Sequence, residues 1–62
     1  MTIEQLAYRP LEAAEALGVG RSAIYELIKQ PGFPVVRIGR SVRISKKALA
    51  EWVERQAKSQ AS

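Results

Sequence analysis

Between Glu12 and Lys29 the chain reads EAAEALGVGRSAIYELIK, and its apolar positions follow helical spacing twice with a break between. Ala13, Ala14 and Leu17 fall on one face of a first helix expected over Pro10 to Leu17. Gly18 can leave that helix at positive φ, after which Val19 is expected to point back inward. A second helix restarts at Arg21. At about 100° per residue, Ile24, Leu27 and Ile28 share one face while Ser22, Tyr25 and Lys29 share the opposite one. One face packs and the other is left to meet something else.

Past Lys29 the run QPGFP carries two prolines and a glycine, which end the helix and turn the chain. Val35, Val36, Arg37 and Ile38, then Val42, Arg43 and Ile44, are β-branched positions with basic residues interleaved. Gly39, Arg40 and Ser41 separate them, so a small β-hairpin is expected. Period-two alternation is expected to set Val36, Ile38, Val42 and Ile44 on one side, with Arg37 and Arg43 on the other and Arg40 at the tip. An isolated hairpin is marginal in water, so its apolar side must dock on the helices. Ser45 is a suitable N-cap for a last helix over about Lys46 to Ala57, with Leu49, Trp52, Val53 and Gln56 on one face. Arg9, lacking a short side-chain oxygen, is a poor cap for the first helix, and Gly20 is a tolerable cap for the second. Tyr8 reads as a core or edge-strand residue.

Two helices joined by a short turn containing glycine have the spacing of the DNA-binding helix-turn-helix, whose second helix enters the major groove. An ordinary αα-hairpin has the same pattern, and charge sharpens the choice. The 62 residues carry a net +4. Residues 1 to 26 hold Arg9 and Arg21 against Glu4, Glu12, Glu15 and Glu26, a net −2. Residues 27 to 50 hold Lys29, Arg37, Arg40, Arg43, Lys46 and Lys47 with no acid, a net +6. A cationic middle third suits a polyanion, either nucleic acid or an anionic surface. The cations lie on a hairpin rather than along an amphipathic cationic helix, which argues against a membrane.

The remaining composition mostly excludes. Without Cys or His there is no disulfide, no ordinary zinc site and none of the usual nucleophiles or bases, so neither an enzyme nor a cofactor is expected. The start MTIEQLAYRP lacks a basic segment followed by an apolar one, and no segment reaches transmembrane length, so the chain reads as mature and cytoplasmic. One domain is expected over 1 to 62, with its core at about 8 to 57 and a frayed end at 58 to 62.

The order helix, glycine turn, helix, basic hairpin, helix resembles the excisionase and MerR-type winged helix-turn-helix domains, including phage and transposon excisionases and AlpA-like prophage regulators. The stretches that carry the resemblance are EAAEALGV at 12 to 19, RSAIYELI at 21 to 28, FPVVRIGRSVRIS at 33 to 45 and LAEWVERQ at 49 to 56. It implies a small α+β fold: a helix-turn-helix, a two-stranded β-hairpin wing and a C-terminal helix. It also implies sequence-specific binding of double-stranded DNA, with Arg21, Ser22, Tyr25 and Lys29 facing DNA from the second helix and Arg37, Arg40 and Arg43 from the wing. Lys46 and Lys47 join them as phosphate contacts if the start of the last helix faces DNA. The chain departs from the family pattern at Arg9, where a Thr cap is usual, at Gly20, where Ser is common, and at Glu26, where a basic residue is frequent. Glu26 could accept from cytosine N4, pair with Lys29 or Lys47, or stay solvated. Excision control, with an integrase or recombinase as partner and DNA-dependent self-association, and prophage transcription control are both open on this reading. The alternative is an adaptor whose basic wing binds an acidic protein.

Overall fold

The computed structural model describes residues 3–60. Its elements in chain order are α1 (Ile3–Leu6), β1 (Ala7–Tyr8), α2 (Pro10–Leu17), α3 (Arg21–Lys29), β2 (Val35–Ile38), β3 (Ser41–Ser45) and α4 (Lys46–Gln60). The strands form one antiparallel sheet in the order β1-β3-β2. Together these make a small winged helix-turn-helix fold.

Helix α2 begins where proline suits it, and its weak cap is repaired from inside the helix. The Glu12 carboxylate accepts the Arg9 backbone N–H at 2.8 Å, which is half of a capping box and asks nothing of the arginine side chain. The helix ends on Gly18 at φ 71°, where the Gly18 N–H donates to the Glu15 carbonyl and the Val19 N–H to the Ala14 carbonyl. That left-handed position is the one glycine adopts without strain. Val19, expected to turn inward, instead stays 37% exposed. Its N–H closes the helix end, which leaves the side chain at the border of the core. Helix α3 starts on the extended Gly20 and stops at Gln30, whose N–H donates to the Leu27 carbonyl before Pro31 and Gly32 redirect the chain.

Six side chains close the core: Ala13 and Ala14 from α2, Ile24 from α3, Phe33 from the loop, Ile44 from β3 and Leu49 from α4. Ile24 and Ile44 have no exposed surface, and each contributes about 1.5–3 kcal/mol of burial. Tyr8, Leu17, Leu27, Ile28, Val35 and Trp52 pack around them. The Trp52 ring meets Phe33 edge-on, with centroids 5.0 Å apart. Helix α4 is capped as expected by the Ser45 hydroxyl, which accepts the Ala48 N–H at 3.2 Å. It continues to Gln60, past the expected end at Ala57, because Ala57, Lys58 and Gln60 favour helix and Lys58 suits the negative end of its dipole.

The sheet extends the sequence reading in one respect and departs from it in another. A third strand, β1, pairs Ala7 with Ser45 and Tyr8 with Ile44, so the hairpin is stitched to the body by its second strand. The register of the hairpin also reverses half of the expected facing. Val35 pairs with Ile44, Val36 with Arg43, Arg37 with Val42 and Ile38 with Ser41. Paired residues point to the same side of a sheet. Val35, Arg37, Val42 and Ile44 therefore share the core-facing side, and Val36, Ile38, Ser41 and Arg43 share the other. The cause is the loop. A three-residue turn pairs positions of like parity, but the chain turns in two residues, Gly39 and Arg40, and so pairs even with odd. Gly39 at φ 60°, with no positive φ at Arg40, matches the type II′ pattern. Val36 and Ile38 consequently lie out of the core, 42% and 40% exposed.

Candidate nucleic-acid interface

The amphipathic division of α3 is realised as the spacing requires. Ile24 is sealed, Leu27 and Ile28 are half-buried, and Arg21, Ser22, Ala23, Tyr25, Glu26 and Lys29 are exposed. Tyr25 keeps 42% of its surface in solvent. No hydrogen bond, ion pair or ring contact with the described residues ties back Arg21, Ser22, Tyr25 or Lys29. The stripe opposite the core thus offers a hydroxyl, a phenol, an ammonium and the Glu26 carboxylate, with the Arg21 guanidinium at its edge, on a helix whose other side is fixed. Because side chains three and four residues apart lie one above another on a helix, Ser22, Tyr25 and Lys29 line up along it.

The wing cations are arranged differently. Arg40 is exposed at the tip, in the tight turn after Gly39, and Arg37 is exposed on β2. Arg43, across from Val36 on the other side, is half-buried, and its Nη1 donates to the Val42 carbonyl at 2.9 Å. The wing therefore carries one arginine on each side and one at its end. Sequence alternation put Arg37 and Arg43 together; the two-residue loop separates them.

The two lysines at the start of α4 also part company. Lys47 is exposed. Lys46 is half-buried, with Nζ 5.1 Å from the centre of the Tyr8 ring, a cation–π contact that holds it against β1. Its carbon stem covers apolar surface while its charge stays by the ring. Sequence reasoning had no route to this contact, which depends on β1 pairing with β3. Val53, expected on the core face of α4, is instead 40% exposed at the edge of a groove.

The chain matches the family described as helix-turn-helix domain over residues 8–57. It belongs to that family. The match runs from Tyr8 on β1 through the wing into α4, so it takes in the whole of the surface described above. Comparison with curated proteins and with solved structures returns no match. Membership supports DNA binding by this helix-turn-helix domain, a family that is not typically enzymatic. Among the described residues, no helix is long and apolar enough to cross a membrane, and no cluster of His, Cys, Asp or Glu is placed to hold a metal ion.

Proposed function

We propose that this helix-turn-helix domain binds duplex DNA sequence-specifically, with α3 in the major groove and the wing reaching the flanking phosphates and the adjacent minor groove. The observation that carries the reading is the uncovered stripe of α3: the side opposite Ile24 is polar and untied, with Lys29 along it and Arg21 at its edge against the single acid Glu26. Arg21, Ser22, Tyr25 and Lys29 meet base edges and phosphates there, and Arg37, Arg40 and Arg43 supply affinity by neutralising phosphates. A blade with a guanidinium on each side and one at its tip fits a groove, where a phosphate strand lies to either side. Lys47 is a further phosphate contact. Lys46 joins it only if the DNA draws it off Tyr8.

A single module of this size buries about 600–1,000 Å² on DNA, so several copies on neighbouring sites strengthen one another. Such a protein acts as an excisionase-like directionality factor working with an integrase, or as a prophage transcription regulator. An adjacent integrase gene selects the first role, and an isolated gene flanked by its own operator the second.

Selection of binding sites from random DNA with the wild type, Ser22→Ala and Tyr25→Ala tests the assignment of α3. The expected outcome is one motif for the wild type and altered motifs for the variants. Identical motifs would remove α3 from base reading. One observation favours the adaptor reading, in which the wing binds an acidic protein: Val36 and Ile38 are exposed beside Arg43 on one side of the wing. A gel shift on random duplex at low salt separates the two, since non-specific binding by DNA readers has Kd of about 100 μM or tighter.

A further inference from the structure

Strand β2 ends the sheet, and among the described residues it has β3 on one side and no strand on the other. Val36, Arg37 and Ile38 are all exposed, so solvent reaches both of its faces. Its main-chain groups divide by phase. The two-residue turn makes Ile38 and Ser41 the closing pair that exchanges both bonds, and the Ser45 N–H, donating to the Pro34 carbonyl at 3.3 Å, keeps the same phase at the far end. Ile38, Val36 and Pro34 therefore turn their main-chain groups toward β3, while Arg37 and Val35 turn theirs away. The Val35 N–H is already used, donating to the Phe33 carbonyl at 2.8 Å. The outer edge thus offers the Arg37 N–H, the Arg37 carbonyl and the Val35 carbonyl, and the DNA reading uses none of them.

We propose that β2 takes an extended acidic segment of a protein partner as a further, antiparallel strand of the sheet. This rests on the reading of the wing as a seat for an acidic protein and not on DNA binding. An antiparallel strand lets one residue of the partner exchange both main-chain bonds with Arg37. Paired side chains share a side, so an aspartate or glutamate at that position meets the Arg37 guanidinium, which no carboxylate of the described residues engages. The chain has no acid between Leu27 and Ala50 to compete for it. The two neighbours of that residue stand across from Val36 and Ile38, which are 42% and 40% exposed on the other side, and are apolar to match them. The partner strand therefore reads apolar, acidic, apolar. A second copy of this chain fits poorly. A two-fold pairing of β2 with itself that exchanges both bonds sets Arg37 directly against Arg37, like charge against like. The other two-fold register, Val35 against Arg37, needs the Val35 N–H that Phe33 already holds.

The test uses the full chain, isotope-labelled for NMR, and three short synthetic peptides with threonines flanking a central triplet. The first triplet is valine, glutamate, valine; the second has lysine for glutamate; the third repeats the first with the glutamate nitrogen methylated, which deletes the N–H that donates to the Arg37 carbonyl. The glutamate peptide is expected to move the Arg37 amide to lower field and slow its hydrogen exchange. The methylated and lysine peptides are each expected to bind about fivefold more weakly or worse. Arg37→Gln keeps the main-chain groups and should abolish the preference for glutamate over lysine, and Ile38→Ser should weaken the glutamate peptide. A methylated peptide bound as tightly as its parent would leave attraction to an acidic protein standing and overturn strand addition. Equal binding of the glutamate and lysine peptides, or shifts that spare Arg37, would overturn it too. Sedimentation as a dimer dispersed by Arg37→Pro, which removes the outward N–H, would make a second copy the occupant and overturn it as well. Failure of the duplex gel shift would count against DNA binding and leave these outcomes unchanged.

Discussion

Helix α3 and the wing both present cations, but they are built on opposite plans. In α3 the apolar and polar positions separate cleanly, so the residues offered outward stand on a helix whose back is sealed by Ile24. In the wing the arginines are divided between the two sides and the tip, and only the end near Val35 and Ile44 rests on the core. A rigid backing suits discrimination between base edges, which demands fixed geometry. A loosely backed blade suits attraction to phosphates, which depends on charge more than on position. The comparison teaches that one surface can divide specificity and affinity between its parts by how firmly each is held.

The sharpest way to break this contrast is at the two isoleucines. Ile24→Ala should cost about 2–5 kcal/mol in denaturant unfolding, enough to unfold much of so small a domain. Ile38→Ala, at the exposed end of β2, should cost below about 1 kcal/mol. Comparable losses would mean that the wing is held as firmly as α3. Next comes Gly39→Ala. A Cβ there meets nothing within 4 Å, so any loss comes from the positive φ and should be about 1–2 kcal/mol, read as a lower melting midpoint. Ser45→Ala removes the acceptor for the Ala48 N–H and should cost about 1 kcal/mol by the same measurement.

The smallest effects in energy say most about the wing. Arg40→Ala should lower DNA affinity alike on every sequence and reduce the salt slope by about 1, with the melting midpoint unchanged. Arg37→Ala and Arg43→Ala should each do the same, and the double variant should reduce the slope by about 2 if the wing enters a groove. If it lies flat along one backbone, only one of the two will register. Titrations at several salt concentrations decide between these outcomes.

The legible and illegible parts of the chain divide along the same line. Both helices of the helix-turn-helix, the division of α3 into faces, the Ser45 cap and the existence of the hairpin follow from spacings within a few residues, and the structure agrees with them. Tyr8 lies in an edge strand as expected, but the partner of β1 was not legible, since Ala7 and Tyr8 pair with Ser45 and Ile44 far along the chain. The facing of the wing failed for a narrower reason: alternation within each strand is local, but the relation between strands hangs on whether Ser41 belongs to the turn or to β3. Of the site residues, the stripe on α3 was placed correctly as exposed, whereas the capture of Lys46 by Tyr8 needed the sheet in three dimensions. The exposure of Val53 escaped because periodicity assigned it to the packed face of α4, whereas it lies to the side of Leu49 and Trp52, the residues of that face that meet the core.

The edge-on meeting of Trp52 with Phe33 has a practical side. This is the chain's single indole, and it sits on the packed side of α4 and not among the residues proposed to touch DNA. Its ultraviolet emission is therefore a built-in, label-free gauge of whether the loop ahead of the wing is still clasped to the final helix. A variant that releases nucleic acid without changing that glow has lost only its grip, and one that changes both has lost its shape.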